Sequence, residues 1–200
     1  MSAPQLKFSY FNIAGRGELS RLIFTYANVA FTDDRVVNFP ELKPKCPFGQ
    51  LPLLEVDGTM YSQSMAIARY AARVGGLYPE NPVDALRVDM ISETLSEILT
   101  AYIGAFFHEK NATLKVEKFK KLVEETAPKA FGVLETMVQG KFFLGDKASY
   151  ADVQLLDVVL NGLNTVPEQT FNLAAFPKLE AIVAAVKTNE YVAAYLAAKH

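Results

Sequence analysis

The chain has 200 residues, 50% of them apolar, and 20 basic against 22 acidic side chains give a net charge of −2. Such a length supports one large domain or two small ones around a real core, and the near-balanced charge offers no basic field to nucleic acid or acidic lipid. With 2 histidines and the single cysteine Cys46, a zinc site of several such ligands is hard to assemble, and an intrachain disulfide is impossible, which suits a reducing compartment.

The first part of the chain mixes strand and helix signals. Leu6, Phe8 and Tyr10 alternate with Lys7 and Ser9, which predicts a half-buried strand. Gly15-Arg16-Gly17 breaks that pattern, and Leu19, Leu22, Ile23, Tyr26 and Ala27 then recur at helical spacing. "VAFTDDRVV" predicts a second strand, so the opening is a β-α-β unit. In "PLLEVDGTMYS" two short runs flank Asp57-Gly58, a strong hairpin signal. "SMAIARYAARVGG" predicts a helix begun at Ser64 and stopped by Gly75-Gly76. "LYPENP" then has the composition of a linker.

Beyond residue 83 the pattern is helical throughout. Leu86, Met90, Ile91, Leu95, Ile98, Leu99 and Tyr102 predict one long amphipathic helix. Val116, Phe119, Leu122 and Val123 predict another, which Pro128 should kink or interrupt. Ser149 and Asp152 bracket the start of "VQLLDVVL" like a capping box. Leu179, Ile182, Val183 and Val186 mark a later helix, with a short one after Glu190. The expected organisation is a small α/β domain (1–78), a linker (79–82) and an all-helical domain (83–200). The start, "MSAPQLKFSYFN", lacks the basic and apolar regions of a signal peptide. No run reaches the roughly 18 apolar residues that span a bilayer, so the expectation is a soluble cytoplasmic protein.

Three stretches carry chemistry. A tyrosine ending a strand is ordinarily a packing residue with its hydroxyl at the rim. Tyr10, however, precedes a glycine-bearing turn into a helix, where free N–H groups and a positive helix end favour an anion, and Arg16 lies in that turn. In "PFGQLP", Pro52 could be a plain strand-start proline. A cis bond there would instead expose the N–H and C=O of Leu51 to an extended ligand. In "YSQSMAIARY", Ser64 could be an ordinary helix cap, or Gln63 and Ser64 could hold a carboxylate at the helix N-terminus.

Tyr10-Phe11-Asn12, Gly15-Arg16-Gly17-Glu18, "PFGQLPLLEVDG" and "QSMAIARY" together resemble the motifs of cytosolic glutathione transferases, nearest the sigma class that includes the haematopoietic-type prostaglandin D synthases. The resemblance covers nearly the whole chain. It implies a thioredoxin-like first domain, a helical-bundle second domain, glutathione as co-substrate and a homodimer. It also implies that Tyr10 donates a hydrogen bond to the glutathione sulfur, with Arg16 assisting. By the same resemblance Leu51 and Pro52 would pair with the cysteinyl backbone, Gln63 and Ser64 would hold the γ-glutamyl carboxylate, and Lys43 and Gln50 would bind the glycyl end. Phe39 stands where the sigma class usually has tryptophan. Glu97, where aspartate is usual, would reach the partner subunit's glutathione. Phe11, Ile13 and Leu99 would wall the electrophile pocket.

Two departures narrow the implied activity. Gly104 removes an aromatic of the prostaglandin synthases, so their isomerase activity does not transfer by the resemblance. Ser96 replaces a carboxylate of their metal site, so no metal is expected. Cys46, beside Lys45, is expected to be reactive but not catalytic. The leading expectation is conjugation of glutathione to small hydrophobic electrophiles. The alternatives are a glutathione-dependent lipid isomerase and a non-catalytic relative of the lens-crystallin kind.

Overall fold

The computed structural model describes residues 4–166 and 170–198. Strand β1 (Leu6–Tyr10) leads through the glycine turn into helix α1 (Glu18–Tyr26) and strand β2 (Thr32–Arg35). A short helix α2 (Phe39–Leu42) and a 3-10 turn at Lys43–Lys45 follow, and no hydrophobic period foretold them. Strands β3 (Leu53–Val56) and β4 (Thr59–Ser62) and helix α3 (Ser64–Val74) complete this half. The sheet order is β2-β1-β3-β4, with β1 parallel to β2 and antiparallel to β3. This is the thioredoxin-like arrangement the motifs implied. The β3–β4 turn sits where expected: Asp57 and Gly58 have φ of 49° and 85°, the left-handed pair that suits a two-residue hairpin.

The remainder is helical, and among the described residues every strand lies within Leu6–Ser62. Helix α4 (Pro82–Ile103) starts at Asn81, whose side chain accepts from the N–H groups of Val83 and Asp84. Helix α5 (Ala112–Lys121) passes through a wide π-type turn at Leu122–Thr126 into α6 (Ala127–Met137). Pro128 lies in the first turn of α6, so the expected interruption falls just ahead of it. Helix α7 (Tyr150–Val158) is buried on every side, and its capping box joins Ser149 and Asp152 as anticipated. Helices α8 (Pro177–Lys187) and α9 (Glu190–Ala197) close the fold.

Two burial patterns differ from the sequence reading. Helix α1 is buried continuously from Glu18 to Phe24, not along one stripe, because α3, α7 and α9 all pack on it. On α4 the buried residues are Val88, Ile91, Ser92, Leu95, Ile98, Leu99, Tyr102 and Ile103, whereas Leu86 and Met90, two of the residues that marked the helix, are 70% and 53% exposed. Periodicity tells which residues share a face, and Leu86 and Met90 belong to a second apolar face together with Val83.

The two halves meet at Asp89 of α4. Its carboxylate accepts hydrogen bonds from Tyr78, Tyr150 and Arg69, and Arg69 also pairs with Glu93. Burial alone would raise the Asp89 pKa, but these hydrogen bonds and the Arg69 charge outweigh it and hold the carboxyl below its usual range.

Candidate active site

The glycine turn exists to accommodate a ring. Tyr10 is buried, and its hydroxyl oxygen accepts the backbone N–H of Arg16 at 3.1 Å. A Cβ on Gly15 would lie 2.7 Å from that oxygen, and one on Gly17 would lie 2.3 Å from ring carbon Cδ1. Any larger residue at either position must push the tyrosine away. Gly15 also has φ of 44°, which glycine adopts without penalty. The Arg16 guanidinium donates to the Thr100 hydroxyl at 3.1 Å, so the turn is tied to α4 of the helical half.

Beside this turn is a cavity of about 250 Å³ lined by Arg16, Phe48, Gln50, Leu51, Pro52, Ser62, Gln63 and Ser64. Residues dispersed over the sequence motifs are therefore neighbours around one hollow. The Leu51–Pro52 bond is cis. Gln63 has φ of 79°, a left-handed conformation that costs a non-glycine residue energy and recurs where a side chain is held for a ligand. Gln63, not Ser64, occupies the helix-cap position, and no side chain caps this end of α3. The first-turn N–H groups of the helix are thus left to an anion.

Other expected site residues lie at the margins. Phe39 packs edge-on against Phe11 at 5.4 Å between ring centroids, and Phe11 packs likewise on Tyr10 at 5.4 Å. The Lys43 stem passes Gly49, where a Cβ would be 3.7 Å from its Cε. Glu97 is exposed on α4 and lines an open cleft with Arg16, Ser96 and Thr100. Of the three proposed pocket-wall residues, Phe11 is half-buried and Ile13 exposed, while Leu99 is buried, close to Gly162. Ser96 accepts from Gln154 and donates to the Ser92 carbonyl, an α4–α7 packing role. Among the described residues no group of three or more His, Cys, Asp and Glu could hold a metal ion.

Cys46 corrects the sequence reading. Its thiol is buried and donates to the Leu42 carbonyl, and burial pushes its pKa up, against the reactivity expected of it beside Lys45. Phe48, Ser62 and Thr100 were missed. Phe48 and Ser62 both lie within quoted motifs, and only the tertiary fold brings Phe48, from the loop before β3, and Ser62, at the end of β4, to the same cavity. The Ser62 hydroxyl is buried without a hydrogen-bond partner among the described residues.

The fold and cleft define the class of protein: a thioredoxin-like half carrying the site, joined to a helical half whose α4 forms its rim. Two family descriptions match the chain, "Glutathione S-transferase, N-terminal domain" over residues 6–73 and "Glutathione S-transferase, C-terminal domain" over residues 96–199. Hematopoietic prostaglandin D synthase of Gallus gallus is 38% identical over 152 residues, 74% of this chain and 75% of that one. S-crystallin SL11 of Nototodarus sloanii is 32% identical over 201 residues, 96% of each chain. The solved prostaglandin synthase D of Nilaparvata lugens superposes with a TM-score of 0.85 at 27% identity, covering 97% of this chain and 98% of that one. The chain belongs to the glutathione S-transferase family, in its sigma-like branch.

Proposed function

We propose that this protein activates the thiol of glutathione and transfers it to small hydrophobic electrophiles. The observation that carries the reading is the Arg16 N–H donated to the Tyr10 oxygen. With one lone pair already occupied, the hydroxyl keeps its own proton for a sulfur, and the N–H polarises it further. A free thiol has a pKa near 8.5, and lowering it by two units takes about 2.7 kcal/mol. A hydrogen bond to a charged group supplies about 1.5–3 kcal/mol, which reaches that scale. Leu51 beside the cis proline would pair with the peptide backbone of glutathione, and Gln63 and Ser64 would take its γ-glutamyl carboxylate at the open helix end. Gln50 and Lys43 would meet the glycyl end, with Phe39 beside them. Phe11, Ile13 and the edge of Leu99 would bound the electrophile. The chemistry needs no metal.

The exposed α4 face of Val83, Leu86 and Met90 supports a homodimer that buries this helix and brings Glu97 to the partner's site. A fully active monomer in analytical ultracentrifugation would eliminate that role. The division of domains at 79–82 and a cytoplasmic location belong to the same reading. Among the described residues no helix is long and apolar enough to cross a membrane.

The test is conjugation of glutathione to 1-chloro-2,4-dinitrobenzene by wild type and Tyr10→Phe. A large fall in turnover with glutathione affinity kept is the expected result. Equal rates would move activation to Arg16 or the backbone. The similarity to a hematopoietic prostaglandin D synthase favours one second reading, lipid isomerisation, which wild-type protein inert towards aryl halides but active on an isomerisable lipid peroxide would establish.

A further inference from the structure

Arg21 is the bulkiest completely buried side chain among the described residues, and the chemistry proposed above does not use it. Burying a guanidinium costs several kcal/mol unless its donors are met, and a plain apolar side chain would fill the same space without that cost. Its donors are met in a specific way. Nε donates to Asp33 at 2.9 Å, one terminal nitrogen donates to the Ile13 carbonyl at 3.0 Å, and the other donates to the Phe11 carbonyl at 3.1 Å. Glu18 lies 3.5 Å away, so the guanidinium faces two carboxylates, of which Asp33 is shared with Arg35.

The two carbonyls flank Asn12, in the stretch that leads from Tyr10 to Arg16. One rigid plane therefore sets the bend of the segment whose ends must bring a hydroxyl to a backbone N–H. The guanidinium carbon also lies 5.7 Å from the centre of the Tyr10 ring. The Asn12 side-chain oxygen accepts from Arg35, which shares Asp33 with Arg21 and also donates to the hydroxyl of Tyr195 on α9.

We propose that Arg21 is a positioning residue for thiol activation: by holding the Phe11 and Ile13 carbonyls on one guanidinium, it sets the Tyr10 hydroxyl against the Arg16 N–H. The proposal rests on the reading that Tyr10 stabilises the thiolate. It places the determinant of that geometry on α1, beneath the loop and away from the glutathione cavity.

Arg21→Lys in the full chain is the main test. It keeps the positive charge, but an ammonium is a point donor that cannot span both carbonyls as the planar fork does. Asp33→Asn loosens the same guanidinium from its Nε side and serves if Arg21→Lys fails to fold. For each variant the thiolate absorbance of bound glutathione and the rate with 1-chloro-2,4-dinitrobenzene are followed against pH, with Tm and glutathione Kd alongside. The thiol pKa in Arg21→Lys is expected to rise by about one unit, which leaves about tenfold less thiolate below it. Turnover should recover at alkaline pH, where the thiolate forms unaided, with glutathione affinity held within a few-fold. Asp33→Asn should move the profile the same way by less, and Arg21→Lys should add no further shift to Tyr10→Phe.

A folded Arg21→Lys or Asp33→Asn protein with a lower Tm and the wild-type pH profile would reduce Arg21 to a stabilising residue and overturn the proposal. A Tyr10→Phe profile that does not move would instead remove the thiolate reading, and this inference with it. A shift in Tyr10→Phe alone refutes only the role of Arg21.

Discussion

Replacing Gly17 with alanine inserts one methyl group against the ring that carries the proposed chemistry. The backbone itself makes no objection, because Gly17 has φ of −94° and ψ of −23°, a conformation open to any residue. The objection is steric. The new Cβ would lie 2.3 Å from Tyr10 Cδ1 and 2.5 Å from Cγ, whereas carbon atoms rest about 3.5–4.0 Å apart. Relief demands a ring movement of at least about 1 Å, and Tyr10 is only 7% exposed, with Phe11 and Arg21 packed on it. Overpacking of this kind costs about 1–3 kcal/mol. For a chain of this size each kcal/mol lowers Tm by about 2–4 °C. A 1 Å displacement of a positioned group costs about 10²-fold in rate, roughly 2.7 kcal/mol of barrier. Thermal melts and steady-state conjugation of glutathione to 1-chloro-2,4-dinitrobenzene should therefore both register the methyl group, with kcat falling more than glutathione affinity. A Gly17→Ala protein with wild-type kcat and Tm would show that the ring has room, and the account of the glycine turn would fail.

Gly132→Ala is the complementary case, since a Cβ there meets nothing within 4 Å on helix α6; it should stabilise by about 0.5–1 kcal/mol, and a lowered Tm would contradict this. Asp152→Ala removes the acceptor for the buried N–H groups of Phe143 and Ser149 and for the Ser149 hydroxyl. At about 1–3 kcal/mol for each orphaned donor, urea unfolding should show a loss of at least about 3 kcal/mol, and a loss under 1 would refute the capping role. Asp89 titrates below the usual carboxylate range when folded, so its contribution is present above the unfolded pKa of about 3.9 and is lost as pH falls through the lower folded value. Asp89→Asn should accordingly flatten the loss of stability below about pH 4; an acid limb identical to wild type would count against the tie between the halves.

Much of the fold was legible because its signals are local. Alternation marks β1, Asp57-Gly58 marks the hairpin, helical spacing marks α1, α3 and α4, and Ser149 with Asp152 marks the start of α7. The short α2 escaped because four residues cannot display a period. The wide turns at Gly104–His108, Leu122–Thr126 and Val159–Leu163 escaped because they preserve helical composition while changing the hydrogen-bond step. Around the cavity, motif residues such as Gln50, Leu51, Gln63 and Ser64 were readable. Arg21 was not singled out, although a charge set between Leu19 and the apolar stretch Leu22–Phe24 of a helix is a signal that could have found it.

What this sequence determined by itself is the order of its elements, because hydrogen-bonded turns and side-chain periods depend on residues a few places apart. It also determined the residue types available at each motif. Only the tertiary structure decided which faces those elements turn inward: Leu86 and Met90 share the helical period of α4 yet face outward, because the core lies against its other side. Only the tertiary structure joined Phe11, Ile13, Arg21 and Asp33 into one cluster, since a buried guanidinium takes its partners by distance and not by sequence. The cis state of Pro52 and the left-handed Gln63 belong to the same category, for each is a minority conformation held by its surroundings.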